Sequence, residues 1–373
     1  MRSRCITLGL CVLVTVCGCG KKELENEGTF DVMETEAVTQ VKEETEAAEK
    51  QPYFPATYTD RTEKVTMDCT LEVPEEFDAY NFHLPEVAGL QYYNAEKAYA
   101  KFVEGKEVAE QHEQSAGEEG SPGLTHYVMA DGSIVGIGSL FNRWLPEASV
   151  YQTVVRQSER SAPKEDFAFG SGDSCTEEVA EILREIEYPV DEVKFDWFST
   201  SGADYEILEQ RALEDGVIGN ENLKADGWTE DNNAYEIYGW QTYEGLPVFP
   251  QIMTSLMSRA IENYQKATVT ALYNKNGMLT LMANETYFFE HSEDVTAFKP
   301  FPEIADALIA KYDYLLNELT YTVTRAKLAV RVYFDESQVY QAEPVWYFEV
   351  YDNNSNLEIV LFNAVTGEEI YLP

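Results

Sequence analysis

The chain of 373 residues has few of the side chains on which enzymes and metalloproteins depend. It contains four histidines, and none of them lies in the H-x-x-x-H spacing of a metal site. Neither the G-x-S-x-G sequence of a hydrolase nor a phosphate-binding Walker sequence occurs. We therefore predict that the protein is not an enzyme and has no catalytic residue, no metal site and no cofactor.

Positive charge is also scarce, because 27 lysines and arginines face 67 acidic residues and leave a net charge of −40. This imbalance excludes nucleic acid as a partner, since its phosphates must be neutralised by basic side chains. The acidic composition does not identify the two carboxylates that a glycosidase needs, because any two of so many acidic residues could form such a pair. An extracellular hydrolase acting on glycan or cell-wall material therefore stays as an alternative hypothesis.

Long hydrophobic runs are missing after the first twenty residues. The stretch from Ile6 to Val16 is apolar, but it is shorter than the ~20 residues needed to cross a bilayer. Arg2 and Arg4 precede it and small residues follow it. This order is typical of a secretory signal peptide, which we place at residues 1–19.

The run Val16-Cys17-Gly18-Cys19 resembles the lipobox of bacterial lipoproteins. Cys17 fits the lipidated position less well than Cys19, because the bulky Val16 precedes it where a small residue is expected. We predict that Cys19 carries lipid and that two acyl chains anchor the protein stably to the outer face of the cell membrane. An ordinary signal peptide cleaved nearby is the alternative.

Two cysteines, Cys69 and Cys175, remain beyond the predicted anchor. An even number of cysteines in an exported protein permits a disulfide. The alternative is a pair of buried thiols that never meet, which is the usual state of sparse cysteines. Both interpretations stay open from the sequence.

The composition changes near residue 53. Residues 20–52 are acidic and contain a single aromatic side chain, Phe30, so we expect a disordered tether. The following ~320 residues are aromatic-rich and exceed the usual size of a single core, which favours two domains, at 53–200 and 201–373.

Hydrophobic periodicity predicts the same order of elements in both domains: helix, hairpin, strand, helix, strand. The turns of the two hairpins contain Asp131-Gly132 and Asn276-Gly277. We therefore predict an α+β fold with two tandem antiparallel-sheet-plus-helix domains, arranged as a divergent duplication. The predicted elements are a helix at 95–111, a hairpin at 125–139, a strand at 149–159, a helix at 176–187 with Thr176 as N-cap and a strand at 191–199, then a helix at 203–216, a hairpin at 268–285, a strand at 286–293, a helix at 302–319 and a strand at 320–334.

The last third of the chain contains a distinctive set of turn and strand residues: Gly245, Leu246, Pro247, Val248, Pro344, Val345, Trp346, Thr366 and Gly367. On these residues, the region of roughly 235–373 resembles PepSY-like and YycH/YycI-like extracytoplasmic modules. The whole chain is similar to uncharacterised lipoproteins of Gram-positive gut anaerobes.

The resemblance implies a non-enzymatic envelope protein that binds a partner or regulates a sensor, a protease or a peptide. A module that captures a peptide or solute without signalling is a further hypothesis. Oxygen-rich segments at 226–233 and 352–356 leave calcium binding open, although ordinary Asx turns have the same composition.

Aromatic side chains are abundant and supply the one candidate binding surface. We predict an aromatic binding face at Tyr238, Trp240 and Tyr243, because tyrosine and tryptophan combine apolar area with a polar tip. Packing of these rings in the core is the alternative. For Trp346 we predict a structural role, packed against the apolar side of the helix at 302–319, which consists of Ile304, Leu308, Ile309 and Leu315.

Overall fold

The computed structural model describes residues 53–114, 123–151, 164–250, 267–335, 337 and 339–371. These residues belong to one compact unit, Gln51–Pro373. The predicted signal peptide, the predicted lipid anchor at Cys19 and most of the predicted tether lie outside the described residues. The described fold is mixed and dominated by strands, which confirms the α+β class.

Four α-helices lie in the described ranges, and three of them begin at a capping side chain. Asn94, Ser171 and Ser201 each accept a hydrogen bond from the backbone N–H three residues later, which satisfies a donor that the helix itself cannot. None of the described helices has the length and apolar character needed to cross a bilayer. The helices are α1 (Ala95–Phe102), α2 (Gly172–Glu185), α3 (Gly202–Glu214) and α4 (Phe301–Asp313).

The elements of the first half differ from the prediction in two places. The helix predicted over 95–111 ends at Phe102, because Gly105 adopts φ +72° and redirects the chain into a strand. Residues 149–151, where a strand was predicted, are helical, and 152–159 lie outside the described residues.

Helix α2 begins earlier than its hydrophobic pattern predicts. Its N-cap is Ser171 and not Thr176, whose hydroxyl instead donates to the carbonyl oxygen of Gly172 within the first turn at 2.8 Å. The buried side of the helix contains Val179, Ala180 and Leu183.

Fifteen of the strands in the described ranges form one sheet, and the other two form a separate antiparallel ribbon, β3 with β13. The strands are β1 (Thr57–Arg61), β2 (Val65–Glu72), β3 (His83–Gln91), β4 (Val108–Gln114), β5 (Leu124–Met129), β6 (Ile134–Gly138), β7 (Phe141–Trp144), β8 (Val193–Thr200), β9 (Ala234–Tyr243), β10 (Leu246–Pro250), β11 (Val269–Asn274), β12 (Gly277–Ala283), β13 (Thr286–Val295), β14 (Tyr321–Phe334), β15 (Tyr340–Asp352), β16 (Leu357–Asn363) and β17 (Glu369–Ile370).

Two antiparallel meanders make up most of the sheet. After helix α2, strands β8, β9, β11 and β12 pair antiparallel in that order, with α3 between β8 and β9 and β10 between β9 and β11 along the chain. Helix α4 is followed in the same way by β14, β15, β16 and β17. The observed unit, a helix with four antiparallel strands, differs from the predicted repeat of helix, hairpin, strand, helix and strand. A tandem duplication is not shown.

The β9–β10 hairpin joins the two meanders. Leu246 of β10 pairs antiparallel with Tyr243 of β9, and Val248 pairs parallel with Val330 of β14. The turn between β9 and β10 contains Glu244 and Gly245 at φ +44° and +87°. Gly245 adopts this positive φ easily, because it lacks the Cβ atom that makes such a conformation unfavourable for other residues.

The buried side chains form two main cores that do not divide the chain at residue 200. One core is built by chain segments between Phe54 and Phe82 and between Tyr243 and Ala364. The other is built by segments between Tyr93 and Ala283. The boundary predicted at 200/201 falls inside the compact unit, directly after β8, which pairs along its length with β9.

Trp346 lies in the first core, as predicted. Its side chain is 0 % exposed, and its ring meets those of Phe301 and Phe54 edge to face at centroid distances of 4.7 and 5.1 Å. Three of its four predicted partners are buried in the same core: Ile304, Leu308 and Ile309. Leu315 is the exception, because α4 ends at Asp313 and leaves this side chain 38 % exposed.

Candidate functional site

The predicted aromatic face is divided between two sides of β9. Tyr238 and Trp240 lie on one side with their rings stacked at a centroid distance of 6.1 Å. Tyr243 lies on the other side, where its ring packs 5.8 Å from Phe82 and 5.0 Å from Phe289 in the first core. Because side chains alternate along a strand, positions 238 and 240 share a side and position 243 does not.

The paired residues are also less accessible than a binding face requires. Tyr238 is 6 % exposed, and its hydroxyl donates to the carboxylate of Glu236 at 2.7 Å. Glu236 is itself buried at 3 % exposure. These contacts favour the core-packing alternative for Tyr238, while Trp240 is partly exposed.

Cys69 and Cys175 are both free and buried, so the structure contains no disulfide between them. Cys69 is part of the first core and Cys175 is part of the second. Burial raises the pKa of the Cys69 thiol to about 11, with a smaller contribution from Asp68, and burial also raises the pKa of Cys175. The alternative of two separate buried thiols is the observed one.

The oxygen-rich segment at 352–356 is organised as a turn. The Asp352 carboxylate accepts hydrogen bonds from the backbone N–H groups of Asn354 and Asn356, both at 2.8 Å. Hydrogen bonds from Asn356 are the main cause of the lowered pKa of Asp352. Within the described ranges, no group of three or more histidine, cysteine or acidic side chains is placed to hold a metal ion.

A pocket that sequence reasoning did not identify lies between the end of α1, strand β7, helix α2 and the β11–β12 hairpin. Its volume is about 390 Å³. We call it the basic pocket, and it is lined by Lys101, Phe102, Lys106, Arg143, Leu145, Glu178, Ile182, Tyr273, Asn276, Gly277 and Met278.

Three positive charges surround one ring of the basic pocket. The charged groups of Lys101, Lys106 and Arg143 lie 5.7, 5.9 and 5.8 Å from the centre of the Phe102 ring. At such distances a cation is attracted by the electrons of the ring face. A cluster of three cations stands out in a chain whose net charge is −40.

Lys106 and Arg143 form no ion pair with a carboxylate in the described part of the chain, although both, after the hydrogen bonds from Ser133, help to lower the pKa of the nearby Asp131. Lys101 forms an ion pair with Glu185. Lys106 donates to the carbonyl oxygens of Lys101 and Phe102 at 3.2 and 2.9 Å, and so caps the end of α1. Arg143 donates to the carbonyl oxygen of Met278 at 3.1 Å.

The electrostatics of Arg143 reflect its position. Burial lowers the pKa of its guanidinium, because the charged form loses hydration, and Asp131 opposes that shift. Asp131 is already engaged in the β5–β6 turn, where its carboxylate accepts from the backbone N–H and the hydroxyl of Ser133 at 2.9 and 2.6 Å.

The rest of the basic pocket's lining is acidic, polar and apolar. The Tyr273 hydroxyl donates to the Glu178 carboxylate at 2.5 Å, and burial together with this carboxylate raises the pKa of Tyr273. Leu145, Ile182 and Met278 contribute apolar surface. The lining therefore combines cations, apolar contact and hydrogen-bonding groups, which suits a small anion with a larger body.

Comparisons with known proteins bear on the fold. An uncharacterised protein from Eubacterium rectale, with a crystal structure at 1.45 Å, aligns with 86 % of this chain and 94 % of its own, at 14 % identity and a TM-score of 0.57. The C-terminal domain of YpeB from Bacillus megaterium aligns with 75 % of this chain and 93 % of its own, at 10 % identity and a TM-score of 0.28. No protein-family model matches the chain, and no curated protein matches it. The chain thus shares its mixed α+β fold with the E. rectale protein.

Proposed function

We propose that the protein is a membrane-anchored, extracytoplasmic binding protein that holds its ligand in the basic pocket and acts on an envelope partner without catalysis. The observation that carries the proposal is the convergence of Lys101, Lys106 and Arg143 on one ring in a strongly acidic protein. Like-charged groups repel one another; Glu185 and Asp131 offset part of this repulsion, and a bound anion would offset more of it. The lipobox-like sequence ending at Cys19 supports the location, and the partner is a sensor, a protease or a peptide.

A photo-cross-linking amino acid tests this proposal in living cells. It is introduced in place of Asn276 at the pocket and, as a matched control, in place of Asn353, an exposed asparagine of the turn after β15. We expect a defined cross-linked species from position 276 and none from position 353. The same species from both positions, or none from either, would contradict binding at the pocket.

Turnover is the outcome that would replace binding with the hydrolase alternative. The purified full-length protein is incubated with a panel of glycans and cell-wall fragments. If it cleaves one of them and Glu178→Gln abolishes the cleavage, the protein is an enzyme and the pocket its active site. Our proposal expects no turnover by either protein.

We also propose that the two helix-plus-meander units descend from one ancestral unit. Both contain a helix and four later strands that pair antiparallel in chain order, and the first unit has α3 and β10 inserted between these strands. When helices α2 and α4 of an experimental structure are superposed, common descent expects the four strands to coincide in order and direction. A reversed strand order beneath the helices would contradict it.

A further inference from the structure

We infer that the basic pocket binds a small organic molecule through a single carboxylate group, an inference that rests on the proposed binding function. The anchoring groups are Arg143 and Lys106, and the body of the ligand contacts the partly exposed Leu145 and Ile182. A sugar acid and an N-acylated amino acid with an uncharged side chain both carry this chemistry.

The two anchoring cations have donors to spare. A guanidinium carries five N–H donors in a planar fork that matches a carboxylate, and Arg143 donates one hydrogen bond to the described protein, to Met278. An ammonium carries three donors, and Lys106 directs two of them to carbonyl oxygens. Each cation therefore keeps at least one donor that can bind an oxygen of the ligand carboxylate.

The charge around the pocket selects against ligands with many negative charges. Glu178 lines the pocket, and Glu185 pairs with Lys101 at its edge. The protein as a whole carries a net charge of −40, so a polyanion is repelled over roughly the Debye length of ~10 Å. A compact ligand with one carboxylate gains the local attraction and avoids most of this repulsion.

The remaining lining defines the body of the ligand. A volume of about 390 Å³ lies within the range of small-molecule sites and suits a molecule of about the size of a monosaccharide or a dipeptide. The Glu178 carboxylate accepts hydrogen bonds, and the Asn276 amide can donate or accept them, so a hydroxyl or amide on the ligand finds a partner in the same lining.

Isothermal titration calorimetry on the full-length protein in detergent tests this inference. The probes are two matched pairs that differ in one carboxylate, glucuronate with glucose and N-acetylalanine with the neutral N-acetylalaninamide, together with inorganic phosphate. We expect at least one carboxylate to bind and its neutral counterpart to show no binding. Whichever carboxylate binds identifies the source of the ligand.

Three charge-removing variants connect binding to the pocket. Lys106→Gln and Arg143→Gln should each weaken carboxylate binding about tenfold or more, because each removes a charged hydrogen bond. Lys194→Gln is the matched control, since Lys194 is an exposed lysine paired with Glu76 at 2.5 Å and does not line the pocket. Lys106 is exposed, so its variant tests the inference even if the partly buried Arg143 is needed for folding.

Several outcomes would overturn the inference. They are no binding of either carboxylate, equal binding of a carboxylate and its neutral counterpart, phosphate binding as tight as carboxylate binding, or equal weakening by Lys194→Gln and Lys106→Gln. If the carboxylates fail while position 276 still cross-links a ligand in cells, the ligand class is wrong and the binding function stands. Failure of both experiments removes the binding function itself.

Discussion

The ring of Trp346 is enclosed by Phe301 and Phe54, and its indole N–H has no hydrogen-bond partner in the described part of the chain. Its contribution to stability therefore comes from packing. We predict that Trp346→Ala lowers the free energy of unfolding by about 3–5 kcal/mol, measured by urea denaturation. Trp346→Phe is the control, because it keeps an aromatic ring in place and removes the unpaired donor, and its loss should be clearly smaller. A Trp346→Ala protein as stable as the parent would refute the core role.

The two buried thiols make a second prediction at the scale of single residues. With a pKa of about 11, Cys69 is a thiolate in roughly one molecule in a thousand at pH 8, and its burial also denies access to reagents. We expect peptide mapping to show no iodoacetamide labelling of Cys69 or Cys175 in the native protein and full labelling of both in denaturant. A peptide in which the two cysteines are disulfide-linked would contradict the structure.

The raised pKa of Cys69 also determines the direction in which pH changes the stability of the folded protein. The unfolded Cys69 thiol loses its proton near its ordinary pKa of 9, whereas the folded thiol retains it to about 11. Because the unfolded state then releases the proton first, raising the pH above 9 favours unfolding through this residue.

At the scale of elements, the β9–β10 hairpin connects the two meanders through a turn with two positive φ angles. A Cβ atom at Gly245, where φ is +87°, would lie 3.2 Å from the side chain of Glu76 and 3.4 Å from the backbone of Phe77. We predict that Gly245→Ala destabilises the protein by roughly 1–2 kcal/mol from φ alone, with an added loss from these contacts, as measured by urea denaturation.

The matched control for that prediction is Gly105→Ala. Gly105 has φ +72° and no atom within 4 Å of an added Cβ. It therefore carries the conformational cost without the close contacts. Equal losses in the two variants would show that the close packing of the turn against Phe77 does not matter.

Some elements could be predicted from local sequence because their cause is local. The turns at Asp131-Gly132 and Asn276-Gly277 need a glycine with positive φ, and the observed values are +83° and +100°. The start of α2 was not predicted, because Ser171 and Thr176 are both good N-caps and the hydrophobic pattern begins after the second.

Other features depend on contacts between distant segments and could not be read from the sequence. Strand β10 joins β14 in parallel, and nothing in either sequence specifies its partner. The basic pocket is similar: Lys101 and Lys106 flank the end of α1, while Arg143 reaches the same ring through the pairing of β7 with β12. The sequence shows Lys101 and Lys106 close together along the chain, but it does not show that Arg143 meets them at one ring.

At the scale of the whole molecule, the two cores interleave along the chain. Segments near both ends of the described chain build one core, and segments between them build the other. Length alone favoured two consecutive domains, because it carries no information on which strands pair. The observed sheet continues past residue 200, where β8 pairs with β9.

Membrane attachment is also a property of the whole molecule. We predict that Cys19→Ala moves the protein from the membrane fraction to the soluble fraction while its circular dichroism spectrum is unchanged, since residue 19 lies outside the compact unit. Cys17→Ala is the matched control and should leave the protein in the membrane fraction. Mass spectrometry that finds an unmodified mature N-terminus at another residue would contradict the anchor.

The most direct measurement is a crystal structure of the full-length protein with the carboxylate that calorimetry finds to bind more tightly. We predict that the carboxylate lies about 2.7–3.2 Å from both the Arg143 guanidinium and the Lys106 ammonium, with the rest of the molecule against Leu145 and Ile182. A ligand seated elsewhere on the protein, or one whose carboxylate points away from both cations, would contradict a binding function built on the basic pocket.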